Sequence, residues 1–245
     1  MFHKTRHKIG NNFIDVRRSA SKGQAILFIH GIGVSSNYFI PLAERMANHY
    51  EVHLLDMPGY GTTPKPQHPL SPTEQAQVAI AYMKKLGLKD AAIIGQSMGC
   101  QTAAHVAAQY PEGCAKLILI GPTVNKWERT LLSQAGRLLI DTFRESTKMN
   151  AIVLHDYFHM GLPAYLITSR AMIEDHIEDT LRRVTIPTCI IRGSRDGIAP
   201  EKWIRYLATI TENSTEVHSV KGAPHNVQFS NDREVYELCD HFLKQ

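Results

Sequence analysis

Residues 91–109 read AAIIGQSMGCQTAAHVAAQ. An apolar run stops at Gly95, a serine stands alone at position 97 between two glycines, and an alanine-rich segment follows. The apolar run is short, ends at glycine and shows no alternation, which predicts a strand buried on both faces. The segment after it, 98–109, has helical composition. G-x-S-x-G at a strand-to-helix turn lets a helix begin abruptly beneath one strained residue, because a Cβ at either flanking position would crowd so tight a turn. The strain turns the Ser97 hydroxyl out of the sheet, towards the unpaired N–H groups of the helix start. The motif alone is weak, since glycine and serine are common, and its strand–turn–helix setting is what strengthens it.

Moving outward, further strands are expected at 24–30, 51–56, 116–121 and 188–193, with a more alternating, edge-like one at 214–220. Helical text lies between them at 38–48, 71–86, 200–208 and 232–243. Ser71-Pro72-Thr73-Glu74 carries a capping serine, proline in the first turn and an acid behind it. KIGNNFIDV (8–16) reads as a hairpin ahead of the sheet. The alternation of strand and helix predicts an α/β fold with a mostly parallel sheet. It breaks once. From Pro122 to Thr185 only amphipathic helical text is present, so the expected organisation is a core of 1–121 and 186–245 with a helical cap of 122–185.

At 245 residues and 43% hydrophobic composition, the chain is long enough for one sizeable packed domain. The net charge of +4 comes from scattered basic residues, apart from the N-terminal HKTRHK, which reads as a solvated end and not as a nucleic-acid arm. No 18-residue apolar run and no apolar signal core occur, so the expectation is a soluble, cytoplasmic protein without membrane or nucleic-acid partners. Cys100, Cys114, Cys189 and Cys239 show no CxxC pairing, and three of them, in apolar surroundings, are expected as free thiols in or near the core.

A serine hydroxyl needs a base, and the base needs a group to orient it. TCIIRGSRDGIAP places Asp196 in a loop just past a buried strand, and VKGAPHN places His225 just past the last strand. Both loops should open at the same sheet end as Ser97. Glycine after Asp196 also suits a plain turn residue, and twelve other histidines exist. However, no carboxylate follows the fourth of these strands until Glu128, which favours Asp196, and its position after the last strand singles out His225. The order Ser, Asp, His, together with HGIG (30–33), DMPGYGTTP (56–64), GQSMG (95–99), RGSRDGIAP (192–200) and GAPHN (222–226), resembles the α/β-hydrolase superfamily, specifically its small capped serine hydrolases of carboxylesterase type. The likeness covers nearly the whole chain except the cap. It departs from the pattern mildly, with Cys100 where a smaller residue often follows the elbow and HGIG in place of a longer HGGG.

The resemblance implies a catalytic triad of Ser97, His225 and Asp196, and an oxyanion hole made by the backbone N–H groups of Met98 and Ile32. It implies a substrate that is a small or medium carboxylic ester, thioester or lactone, and no metal or organic cofactor. Its capped relatives also include carbon–carbon bond hydrolases of vinylogous diketones, for which Arg129, Arg137, Arg144 or Arg170 could grip a carboxylate. A ligand-binding member without catalysis is a third reading, which the complete triad disfavours. Dehalogenases and epoxide hydrolases of the superfamily carry aspartate where Ser97 stands. His30 is expected to shape the oxyanion loop and Asp56 to stabilise a loop. Trp127, Phe143, Tyr157, Phe158 and Met160 either line a substrate pocket or pack the cap on the core. HDYFH (155–159) imitates a zinc helix, but its acid is short and a third ligand is missing, so a cap helix bearing two histidines is the better reading.

Overall fold

The computed structural model describes residues 2–211 and 213–245. Among these, eight strands form one sheet: β1 (Phe2–Ile9), β2 (Asn12–Ser19), β3 (Ala25–Ile29), β4 (Glu51–Asp56), β5 (Ala91–Gln96), β6 (Cys114–Ile120), β7 (Thr188–Gly193) and β8 (Thr215–Val220). Their spatial order is β1-β2-β4-β3-β5-β6-β7-β8. The hairpin β1–β2 pairs antiparallel and joins β4 antiparallel, while every later pairing is parallel. The architecture is the α/β-hydrolase fold. The expected hairpin at 8–16 is longer than its turn signal suggested, because HKTRHK, expected as a solvated end, is residues 3–8 of the sheet's edge strand and pairs along its length with β2. Exposed charge along an edge is tolerated there and discourages pairing with other chains. The alternating segment near 214–220 is the opposite edge.

The helices are α1 (Ile40–Met46), α2 (Pro72–Leu86), α3 (Met98–Gln109), α4 (Leu131–Thr142), α5 (Thr147–Met160), α6 (Leu162–Glu174), α7 (Ile177–Leu181), α8 (Glu201–Ile210), α9 (Val227–Ser230) and α10 (Asp232–Leu243). The start of α2 is a full capping box: the Glu74 N–H donates to Ser71 Oγ at 3.3 Å and the Ser71 N–H donates to the Glu74 carboxylate at 2.8 Å. Thr130 and Ser146 cap α4 and α5 without the reciprocal bond, each accepting from the third residue of its helix. Gly161 breaks α5 from α6 at φ +81°, a conformation that glycine adopts without the Cβ clash.

Strands β3 and β5 are buried along their whole length, as their unalternating composition requires. Their side chains fill two apolar layers. Leu27, Ile93, Leu117 and Leu119 meet α2, α3 and α8 on one face, and Phe28, Ile94, Ile118 and Ile191 meet α1 and α10 on the other. All four cysteines are buried and unpaired within these layers. Helices α4–α7 intervene between β6 and β7, with no strand among the described residues from 122 to 185. The end of α6 is tied to α3, where Gln101 donates to the carbonyls of Met172 and Asp175, both at 2.8 Å, and His105 meets Asp175 at 2.6 Å. No helix among the described residues is long and apolar enough to cross a membrane.

A central-strand truncation should therefore cost far more than an edge one. Leu119→Ala, fully buried, is expected to lose about 2–5 kcal/mol in urea unfolding. Val217→Ala on the exposed edge strand should lose under about 0.5 kcal/mol. Equal losses would show that the two layers are not the stabilising core.

Candidate active site

Ser97 is held at φ 54° and ψ −123°, in the positive-φ region that non-glycine residues avoid. The cause lies in its neighbours. A Cβ on Gly95 would collide with the Gly99 carbonyl, and one on Gly99 would collide with the Ile29 carbonyl, so strand, turn and helix pack backbone to backbone. The Ser97 N–H is fixed by the Ile120 carbonyl at 2.9 Å. Behind it the buried Cys100 thiol donates to the carbonyls of Gly95 (3.2 Å) and Ile120 (3.3 Å). The departure from a small residue at this position is thus accommodated by one S–H shared between two carbonyls, and burial pushes the thiol pKa up.

The loops after β7 and β8 bring Asp196 and His225 together. His225 Nδ1 donates to Asp196 Oδ2 at 2.8 Å, while Asp196 Oδ1 accepts the N–H groups of Ile198 (2.8 Å) and Ala199 (2.9 Å). Both side chains are buried. The other ring nitrogen of His225, Nε2, has no partner among the described residues. Burial alone would push the imidazole pKa down; Asp196, helped by Asp141 and Glu145, outweighs it and carries His225 up to about 9. Burial likewise opposes ionisation of Asp196, but His225 and the two N–H groups hold its pKa below the usual carboxylate range. Gly121, directly after β6, is the point where these loops converge: a Cβ there would stand 3.0 Å from the His225 ring and 3.1 Å from Asp196 Oδ2.

The HGIG loop is pinned from beneath. The Gly31 N–H donates to the Tyr38 hydroxyl at 2.8 Å, which in turn donates to Gln96 Oε1 at 2.8 Å. His30 is wholly buried, and its Nε2 accepts the Met57 N–H at 3.1 Å, so the proton sits on Nδ1 and is donated to the Gly31 carbonyl at 2.9 Å. Asp56 accepts the Ser36 N–H at 2.7 Å. Both residues hold loops, as expected from sequence. Met98 begins α3, where first-turn N–H groups lack helical partners.

Ser97 and Ile32 line a pocket of about 140 Å³ together with Thr123, Leu131, Gln134, Ala135, Leu138, Tyr165, Leu166, Ser169, Met172 and Ile198. Its walls are mostly apolar, and α4 contributes positions i, i+3, i+4 and i+7 of one helical face. The aromatic side chains Trp127, Phe143, Tyr157 and Phe158 do not line it. Phe143 and Phe158 point outward and are 85% and 80% exposed. Trp127 sets its edge against Trp203 and Tyr206, under Lys126 and Lys202. Tyr157 packs against Gly33, where no Cβ would fit. Size and aromaticity identified these residues in the sequence, but helical phase decides which side chains face the cavity.

The arginines considered as carboxylate grips are also engaged elsewhere. Arg129 pairs with Glu178 at 2.5 Å, Arg137 with Glu128, Arg170 with Glu174 at 2.8 Å, and Arg144 donates to the Arg195 carbonyl at 2.6 Å. In HDYFH, Asp156 turns inward and accepts from the N–H (2.7 Å) and Oγ (2.6 Å) of Ser35, with its other oxygen on His155 at 3.0 Å. Both carboxylate oxygens are thereby occupied by protein. Sequence reasoning missed Arg192, buried at the end of β7, which donates to the carbonyls of Ala199 (2.9 Å) and Asp196 (3.0 Å) and so shapes the acid's loop. An arginine closing an otherwise apolar strand was the available signal. It also missed Asp141 and Glu145, which reach the His225 loop from α4 and beyond.

The model of the alpha/beta hydrolase fold family matches residues 24–139. Among curated proteins, a pimeloyl-[acyl-carrier protein] methyl ester esterase of Vibrio cholerae is 25% identical over 77% of this chain and 82% of its own length. A 2-hydroxy-6-oxononadienedioate/2-hydroxy-6-oxononatrienedioate hydrolase of Pseudomonas sp. is 26% identical over 95% of this chain and 92% of its own. Among solved structures, a bacterial membrane phospholipase A superposes with a TM-score of 0.85 at 19% identity, covering 99% of this chain and 86% of that one, a likeness of fold. The elbow, the ordered loops at the carboxyl end of the sheet and the family model over residues 24–139 make this chain similar to the α/β hydrolases, whose fold it has.

Proposed function

We propose that the protein is a serine hydrolase that cleaves a small or medium carboxylic ester through an acyl-enzyme. The observation that carries this reading is His225, bonded through Nδ1 to Asp196 and with Nε2 unpartnered among the described residues, together with a strained Ser97 that lines an apolar pocket. Both curated relatives are hydrolases, and one is named for a methyl ester. In this mechanism His225 Nε2 takes the Ser97 hydroxyl proton as Oγ attacks the acyl carbon. The oxyanion is met by the N–H groups of Met98 and Ile32, and each such donor is worth roughly 3–4 kcal/mol. His225 then protonates the departing alcohol, and water repeats the sequence in reverse to release the acid. Asp196 keeps the imidazole in the tautomer with its proton on Nδ1 and stabilises the imidazolium.

The likeness to the dienoate hydrolase supports a second reading, carbon–carbon bond cleavage by the same triad. The ester reading is favoured because no arginine or lysine lines the pocket to grip a substrate carboxylate. Residues 122–185 serve as the cap in this proposal. The pocket faces of α4 and α6 meet the acyl group, and the core, 1–121 and 186–245, supplies the reacting groups.

A fluorophosphonate probe should label the protein at Ser97, with labelling lost in Ser97→Ala and the Tm within a few degrees of the parent; undiminished labelling of the variant would refute the nucleophile. The base works only when neutral, so the raised pKa of His225 moves the rise in kcat/KM towards alkaline pH, with a midpoint above the unperturbed ~6.5. Asp196→Asn removes the main group raising that pKa, so the midpoint should fall, with a loss of about 10⁴-fold in kcat. An unmoved midpoint would exclude Asp196 as the group that sets the titration of the base.

Pocket shape is read with p-nitrophenyl esters of graded length set against a vinylogous diketone panel. Leu138→Ala should raise the rate on long acyl chains relative to short ones by about 10-fold, the discrimination of one or two methylenes. Phe143→Ala and Phe158→Ala should leave the ratio unchanged. Faster turnover of the diketones than of any ester would transfer the assignment to the second reading.

A further inference from the structure

Three side chains where α4 runs out are spent on the loops of the candidate triad. Asp141 is 2% exposed, and its Oδ1 accepts the backbone N–H of His225 at 3.2 Å. Glu145 accepts the backbone N–H of Asn226 at 2.8 Å and its side-chain amide at 3.0 Å, and Ser230 Oγ reaches its second oxygen at 3.4 Å. Arg144 donates to the Arg195 carbonyl at 2.6 Å, one residue before Asp196. The three are rigidly linked, because the Asp141 carbonyl accepts the N–H groups of Arg144 (2.8 Å) and Glu145 (3.1 Å). One turn of chain therefore grips the acid loop with a cation and the base loop with two carboxylates.

A buried and a half-buried carboxylate side by side are costly, and among the described residues neither makes an ion pair that would offset the cost. Burial beside Asp141 holds Glu145 up to about 7, and burial beside Asp196 raises Asp141 as well. Asp141 and Glu145 bind the backbone and polar groups of the His225 loop and the turn they form. We propose that Asp141, Arg144 and Glu145 are positioning residues, which hold the loops of His225 and Asp196 in register and set the charge that the imidazole experiences. The proposal rests on the triad reading above. A shift of about 1 Å in a reacting group costs about 10²-fold in rate, so the anchoring of the His225 backbone matters as much as its bond to Asp196. The charged and titratable groups facing His225 are Asp196 on the β7–α8 loop and Asp141 and Glu145 from the α4 turn. Arg137 and Arg144 stand near Gly197, and the Cys100 thiol of α3 lies towards Asp196.

The test compares Glu145→Gln, Asp141→Asn and Glu145→Ala with a control, Glu174→Gln, an exposed carboxylate on α6. For each, fluorophosphonate labelling of Ser97 and kcat and KM for a p-nitrophenyl ester are followed from pH 5 to 10, alongside the Tm. Glu145→Gln and Asp141→Asn retain an acceptor and lose charge, so each should lower the midpoint of the pH profile by roughly half a unit to one unit. Glu145→Ala loses the grip as well, so its plateau kcat should fall about tenfold with KM little changed. The control should match the parent. Midpoints unmoved in both conservative variants, with Glu145→Ala altering only the Tm, would overturn the proposal and leave a merely structural contact. Absence of labelling in the parent protein would instead remove the triad reading beneath it.

Discussion

The close approach of α3 to β3 and β5 is the constraint on which the molecule depends. With no Cβ at Gly95 or Gly99, the helix starts against bare backbone, and the residue between is driven to a φ of 54°. A single contact of this kind fixes the direction of Ser97, the placement of the helix N-terminus behind it and the depth at which the HGIG loop can lie. The apolar layers on either face of the sheet are what make the strain tolerable, since a residue in a sparsely populated conformation costs about 1–3 kcal/mol and persists only where its surroundings determine it.

Around that fixed point the site gathers titratable groups that are largely buried. Asp196, His225, Asp141 and Glu145 lie within a few side chains of one another, and in each burial works against the charged form. Their pKa values separate according to partners. Asp196 has two backbone N–H groups and the imidazole, which hold its pKa low, whereas Glu145 has one residue's amides and a hydroxyl, and burial carries it up to about 7. Carboxylates of similar composition are thus given different protonation behaviour by their hydrogen bonds, as is common where proton transfer is required.

Much of this was legible in the sequence because it is governed by short-range rules. Runs without alternation such as AAIIG and TCIIRG, short and ending at glycine, read as strands covered on both faces, and G-x-S-x-G between such a strand and a helix reports a tight backbone approach. The placement of Asp196 and His225 after successive strands follows from parallel topology, which brings those loops to one end of the sheet. Helical phase was the limit. In LLSQAGRLLIDTF the apolar residues occur on more than one side, so the sequence did not show that Leu131 and Leu138 face the pocket while Phe143 faces solvent. Nor did it show that Asp141 and Glu145 reach residues about 80 positions away, because long-range hydrogen bonds leave no trace in local pattern.

The four buried cysteines have a practical consequence. Sulfur reacts as thiolate, and burial both covers these thiols and raises the pKa of each. An alkylating reagent therefore meets them only when the surrounding layer opens. Because Cys114 starts β6, Cys189 lies in β7, Cys239 in α10 and Cys100 in the first turn after Ser97, the chain carries its own spatially resolved clock. Modification at each site times the opening of one strand, one helix or the elbow itself, and no residue has to be introduced to read it.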